Sequence, residues 1–291
     1  MFFFPFRLIK KSKFLQNEFK NTTLSYKRLG NFIINDVVLV YSKNNNNDKK
    51  YVLKKYNSFF SLVKWTLIKT ISFYCINYTI SGSQRLNNEI KGLQWSKNIG
   101  SNFGMHAPFY YDKINTAVVI DFVDGIPIDK YTEFSNKKFF SHYKNIGTII
   151  ANLHLHNFYL GDCKAENIFY SKDGKYQFLD FEQFNASSNN EVIKRVWDVT
   201  ELFYYLGHYF PFRKRFEFLK KLIWVFLTNY YQTIFSSNAI DNQTKQRLFD
   251  ELGKIRYIIL YVTFMSPFTF FFILKTIKEW KIHFKSKMSN K

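Results

Sequence analysis

The stretch LHLHNFYLGDCKAENIFYSKDGKYQFLDFEQ, residues 153–183, decides the fold. It sets an acidic residue, Asp162, in a loop that follows a helical run. An amide, Asn167, comes five positions on, and a second acid, Asp180, eighteen positions after the first. Between them Ile168–Ser171 and Tyr176–Asp180 read as strands, joined by Lys172-Asp173-Gly174-Lys175 as a Gly-containing turn. A loop acid, a loop amide and an acid ending the next strand supply three oxygens on one side of a cleft. Phosphoryl transfer needs such a set: a carboxylate to orient and deprotonate an acceptor hydroxyl, and hard oxygen ligands for the Mg²⁺ that bridges nucleotide phosphates.

Upstream, Tyr26–Tyr41 alternates apolar and polar residues well enough for one or two strands. The polar tract Asn44–Asn47 with Asp48 reads as a hairpin loop, and Lys50–Tyr56 as the strand after it. Ser81, Gly82 and Ser83 offer a start signal for a helix running to about Lys97. Ala117–Val123 (AVVIDFV) is a nearly continuous apolar run, the mark of a buried strand, and Asp124 and Gly125 end it. Beyond that point the pattern is helical apart from the hairpin, with no internal repeat. The expectation is an α+β chain of two lobes joined near Asp124, a β-rich one over residues 1–123 and a larger, mainly helical one over 124–291. His154 reads as a packed, hydrogen-bonded core histidine, and Cys163 as a small packing residue. Asn157 reads as a left-handed helix terminator, and the aromatics from Phe203 to Phe235 as core.

These residues resemble the protein-kinase-like superfamily. Its catalytic loop has the form H-[RG]-D-x-x-x-x-N, matched here by Leu160-Gly161-Asp162 and Asn167, and its D-F-G metal motif by Asp180-Phe181-Glu182. The resemblance implies a bilobal fold, ATP and Mg²⁺ as cofactors, Asp162 as catalytic base, and Asn167 and Asp180 as metal ligands. Lys164 is similar to the lysine that contacts the transferred phosphate. Tyr51-Val52-Leu53-Lys54 resembles the V-A-I-K strand, which makes Lys54 the contact to the α/β-phosphates. Lys55 is the neighbouring alternative, and alternation with Val52 inward favours Lys54. Glu89 is similar to the partner glutamate on the next helix, although by itself it reads as a solvated helix position. Asp121-Phe122-Val123 falls at the hinge, where Asp121 and Val123 would offer backbone groups to adenine. Asp198 resembles the aspartate that braces the catalytic loop.

Three departures accompany the match. Leu160 stands where the family has His, and Glu182 where it has the Gly of D-F-G. Between Tyr26 and Leu39 only Gly30 is available for a glycine-rich phosphate loop. D-F-E occurs in kinases of small molecules and glycans, so Glu182 points to a non-protein acceptor. Within the superfamily the run YVLKKYNSFFSLVKW (residues 51–65), the bare Gly-Asp loop and the D-F-E are most similar to bacterial lipopolysaccharide core heptose kinases. That resemblance implies a sugar hydroxyl of a core glycolipid, heptose above all, as the acceptor. A protein Ser/Thr kinase is the first alternative, since DCKAEN resembles D-L-K-P-E-N. No A-P-E-like segment follows, and residues 185–191 leave little room for an activation loop. A pseudokinase acting as a binding module is the second, motivated by Leu160 and the missing glycine loop. An aminoglycoside-type kinase is opposed by the charge.

That charge is +20, from 42 Lys and Arg against 22 Asp and Glu, and it favours an anionic partner. The basic residues are scattered and accompany no nucleic-acid motif, so no nucleic acid is expected. An anionic glycolipid acceptor and an anionic membrane surface are expected instead, with the chain cytoplasmic and peripheral at the inner face of the cell membrane. Two cysteines, Cys75 and Cys163, lack metal-site or disulfide spacing. Met1–Phe6 is apolar but has no basic residue before it, so a cleaved signal peptide is not expected. Tyr257–Leu274 carries no charge over about the minimum spanning length, and reads first as a buried helix or helix pair broken near Pro267, with a face lying in the membrane interface and a true span as the alternatives.

Overall fold

The computed structural model describes Asn17 and residues 24–29, 36–42, 50–56, 59–72, 78–98, 110–133, 136–184, 190–209, 216–254 and 267–289. The expected hairpin loop Asn44–Asp48 lies outside these residues, as do Gly30 and the part of the uncharged stretch that precedes Pro267.

The N-terminal part is a five-stranded antiparallel sheet in the order β1-β2-β3-β5-β4. Its strands are β1 (Leu24–Arg28), β2 (Asp36–Ser42), β3 (Lys50–Lys55), β4 (Tyr110–Asp112) and β5 (Ala117–Asp121). Two helices, α1 (Phe59–Ser72) and α2 (Gly82–Asn98), lie between β3 and β4 in the chain. Alternation sorts the side chains of β3 onto two faces. Tyr51 and Leu53 join Val40, Ala117 and Val119 in a small outer cluster, while Val52 and Tyr56 pack with Val118 and Ile120 on the main core. Lys54 shares the parity of Val52 and is buried on that inner side.

The chain then passes to a three-stranded sheet, β6-β7-β8, formed by Gly125–Pro127, Ile168–Ser171 and Tyr176–Phe178. The remainder is helical: α3 (Asn136–Leu155), α4 (Glu191–Tyr209), α5 (Phe216–Ser236), α6 (Asn242–Glu251) and α7 (Pro267–Ser289). The class is therefore α+β, a small β-rich N-terminal lobe and a larger, mainly helical C-terminal one. Helices α3 and α5 touch closely at Gly147, where a Cβ would stand 2.6 Å from the Phe226 carbonyl oxygen, so any side chain would push them apart. Farther on, Tyr231, Phe249, Trp280 and Phe284 bind α5, α6 and α7 through tilted and edge-on ring pairs, while Trp280 and Phe284 stack within α7. Pro267 takes the first position of α7, where its missing N–H is no loss.

Two boundaries differ from the sequence reading. The hairpin strand ends at Phe178 rather than Asp180, because Asp180 turns into the left-handed region at φ 66° and leaves the ladder. The buried strand β5 ends at Asp121, two residues before Val123, as the chain turns toward β6.

Candidate functional site

The loop carrying Asp162 begins where α3 stops. Asn157 adopts φ 58°, Phe158 N–H donates to the Leu153 carbonyl at 2.9 Å, and Asn157 N–H to that of His154 at 3.1 Å. This pair of bonds is the Schellman arrangement, with Asn at the left-handed position as the sequence implied. The chain then reverses onto α4, where Asp198 receives it. Leu160 N–H donates to Asp198 Oδ2 at 2.7 Å and Gly161 N–H to Oδ1 at 2.8 Å. His154 Nε2 lies 3.0 Å from Asp198 Oδ2, and its Nδ1 lies 2.7 Å from the Tyr230 hydroxyl. A carboxylate only accepts, so Nε2 carries the proton and Nδ1 accepts from Tyr230. Burial lowers the His154 pKa, which keeps this neutral tautomer. Gly161 is required here: its φ is 76°, and a Cβ would stand 2.1 Å from the Gln183 carbonyl oxygen.

A second carboxylate that the sequence reading missed completes the clamp. Glu201, one turn after Asp198 on α4, accepts Cys163 N–H at 2.8 Å and faces the Tyr78 hydroxyl at 3.5 Å. The i, i+3 spacing of Asp198 and Glu201 on one helix face was the available signal. Cys163 itself is buried packing, and burial raises its thiol pKa well above the usual range.

Within the loop, Lys164 Nζ lies 2.6 Å from Asp162 Oδ1 and 2.9 Å from Oδ2, and above the ring of Tyr205 at 4.6 Å. Burial is the largest influence and opposes the Lys164 charge, but Asp162, Tyr205 and Glu201 together hold the pKa well above normal. Asn167 Nδ2 donates to the Asp162 carbonyl at 3.1 Å, which leaves Oδ1 as the amide atom for an ion. The hairpin then brings the metal-ligand candidates side by side. Ile168 pairs with Phe178, and Leu179 N–H donates to the Asn167 carbonyl at 2.9 Å, so Leu179 faces Asn167 and Asp180 follows one residue past it.

From the other lobe, Lys54 Nζ reaches Asp180 Oδ1 at 2.5 Å and Glu89 Oε2 at 3.5 Å. The unequal distances decide the electrostatics. Burial works against all three charges, but Asp180 holds the closer contact, so Lys54 lowers its pKa and rises well above its own ordinary value. Glu89 has the longer contact, and burial pushes its carboxyl up to about 7, only partly offset by Lys54. Glu89 is 1% exposed, a buried partner and not the solvated helix position its local sequence reads as. Lys55 is half-buried on the opposite face of β3. Asp121 and Val123 stand where β5 leaves the sheet, with Val123 buried; Val118 is the residue opposite Lys54, placing Asp121 roughly 10 Å farther along the strand.

Glu182 has a structural use invisible in the motif. Its Oε2 accepts Arg85 Nη1 at 3.0 Å, and its carbonyl accepts Asn88 Nδ2 at 3.2 Å, both from α2. Arg85 Nη2 also reaches the Tyr56 carbonyl at 2.5 Å at the end of β3. Next to it, Gln183 Oε1 accepts Thr79 N–H at 2.8 Å while its Nε2 donates to the Thr79 carbonyl at 3.1 Å. The segment after Asp180 is thus bolted to α2, the helix that carries Glu89.

Among the described residues no three His, Cys, Asp or Glu side chains gather into a metal cluster. The donor set nevertheless suits Mg²⁺, which is held by one or two protein oxygens and completed by phosphates and water rather than by an all-protein cage. Asp180 and Asn167 could supply those oxygens, and Lys54 and Lys164 could supply positive charge for phosphates.

No protein-family model matches the chain, and no curated protein does. A solved structure with partial likeness is the complex of Rv3197 with erythromycin from Mycobacterium tuberculosis, at 11% identity and a TM-score of 0.40. The match covers 62% of this chain and 51% of that one, so the chain spans about half the length of the protein it matches. A likeness at this level identifies neither a family nor an activity.

Proposed function

We propose that the chain is an ATP-dependent phosphotransferase acting on a hydroxyl of an anionic glycolipid, with the heptose of a lipopolysaccharide core as the acceptor its sequence most resembles. The observation that carries this reading is the meeting of Lys54 and Asp180 at 2.5 Å, from residues 126 apart in the chain. Beside them stand the Asp162–Lys164 pair and Asn167. In this reading Asp162 accepts the proton of the acceptor hydroxyl, and the Asp198–Glu201 clamp fixes its position. Lys164 faces the phosphoryl group in transit and Lys54 the α/β-phosphates, while Glu89 positions Lys54. Asn167 and Asp180 would hold Mg²⁺, whose chemistry is to bridge and neutralise the phosphates. Backbone groups of Asp121 and Val123 would meet adenine.

The net charge of +20 supports an anionic acceptor and peripheral attachment at the inner face of the cell membrane. Among the described residues no helix is long and apolar enough to cross a membrane. The deciding experiment is ADP release by the purified chain with ATP, Mg²⁺ and dephosphorylated core glycolipid. Asp162→Asn should lower turnover by about 10²–10⁴-fold while ATP binding persists. Full activity in that variant removes Asp162 as the base. Nucleotide binding by the wild-type chain without turnover on any acceptor favours the pseudokinase reading, which Leu160 and the missing glycine loop motivate.

A further inference from the structure

Helix α1 is attached to the core by one side. Trp65 is 1% exposed, its ring 5.2 Å from that of Tyr78, which in turn meets Trp197 of α4 edge-on at 5.8 Å. Ile68, three residues on, packs partly on the same core. Through Tyr78 and Glu201 this attachment reaches the backbone of the Asp162 loop.

The other side of α1 is unusual for a face turned to water. Leu62, Val63 and Leu67 are 49%, 51% and 54% exposed, and with Thr66 and Thr70 they fall on one side at a 3.6-residue period. The two threonines add little polarity there. Thr66 Oγ1 donates to the Leu62 carbonyl at 2.8 Å and Thr70 Oγ1 to that of Thr66 at 2.9 Å, so both hydroxyls are taken up by the helix itself. The face carries no charge, and the fourteen-residue helix holds no acid. Lys69 borders the face on one side, while Lys64, on the other, is half-buried with its ammonium over the Trp65 ring at 4.5 Å, toward the attached side of the helix. An uncharged apolar stripe on an acid-free helix, with Lys69 at its border, suits a lipid interface, where aliphatic groups enter the acyl boundary and an ammonium group meets phosphates. A bilayer with anionic headgroups supplies negative charge all around the stripe, and the +20 of the whole chain adds attraction in the same direction.

We infer that the Leu62–Val63–Leu67 face of α1 is the surface by which this protein docks on an anionic bilayer. Docked there, α1 would hold the Asp162 loop, to which Trp65 and Tyr78 connect it, close to the headgroup layer. The inference rests on the peripheral-membrane part of the proposed function and names the element responsible.

The test is flotation of the full chain with vesicles of phosphatidylglycerol mixed with phosphatidylcholine, and with phosphatidylcholine alone. The wild type should float with the anionic vesicles, and the combined Leu62→Gln, Val63→Gln, Leu67→Gln variant should lose about tenfold or more of that partition. Ile114→Gln, at a site 89% exposed between β4 and β5, should leave partition unchanged. An unaltered circular dichroism spectrum shows that the triple variant is folded. A Leu67→Trp chain should in addition be quenched by brominated acyl chains. Equal flotation of wild type and triple variant would overturn the docking face and leave peripheral attachment standing. No flotation of the wild type overturns attachment itself without touching the phosphotransfer chemistry. A triple variant that loses self-association in place of lipid binding assigns the face to a second copy of the chain, against the inference.

Discussion

Asp162 and Lys54 stand in different lobes, and different physics fixes each. The Asp162 loop is held by neutral donors on buried carboxylates: three loop N–H groups and one imidazole converge on Asp198 and Glu201, all from one helix face. Such bonds are short and directional, and they change little with pH while the carboxylates stay ionised. Lys54 is held by charged contacts, shared unequally between Asp180 at 2.5 Å and Glu89 at 3.5 Å across two lobes, with the Tyr56 ring 5.0 Å away. The first arrangement makes a rigid platform. The second makes an adjustable contact whose balance depends on protonation, and it lies where a nucleotide and its metal would have to fit.

The contrast can be broken at the platform first. Asp198→Ala leaves two backbone N–H groups and the His154 imidazole without an acceptor in a fully buried place. Removing one member of such a network costs about 3–5 kcal/mol. The denaturant midpoint should fall accordingly, and an unchanged midpoint would mean that Asp198 does not carry the loop. On the other side of the cleft, Lys54→Met should abolish most turnover, in line with a loss of about 10² or more in rate for a phosphate-positioning cation, with a smaller change in stability. Lys55→Met, on the opposite face of β3, should be mild in the same assay, and a reversal of the two effects contradicts the register.

The smallest effect concerns Glu89 and sharpens the comparison through pH. Its folded pKa is raised to about 7 from an ordinary 4.5, so between those values the folded chain binds a proton that the unfolded chain has released. Its contribution is fully present below about pH 4.5 and is lost as pH rises through about 7. Wild-type stability should therefore fall more steeply than that of Glu89→Gln between pH 4.5 and 7, as read from urea midpoints. Parallel profiles would show that Lys54 keeps Glu89 ionised, and the two carboxylates would then share the lysine evenly.

The parts of the site that are local in sequence were legible from it. The spacing of Asp162, Asn167 and Asp180, the turn at Lys172–Lys175 and the parity of Lys54 with Val52 all follow from loop length and strand period. Asn157 was legible too, since few residues other than Gly tolerate a left-handed terminator. Glu89 was legible only through the order of motifs that the resemblance supplies, because its neighbours in α2 look like any mixed helix surface until β3 and the Asp180 segment cover them. The exchange between Glu182 and Arg85 was equally hidden, 97 residues apart.

The sequence by itself thus determined which groups could perform chemistry, because backbone periodicity and turn geometry act over a few residues. Only the tertiary structure decided which carboxylate Lys54 prefers, which acids brace the loop and which side of α1 faces outward. Those outcomes depend on distances of a few ångströms between residues tens to more than a hundred positions apart, and on how burial weights each charge.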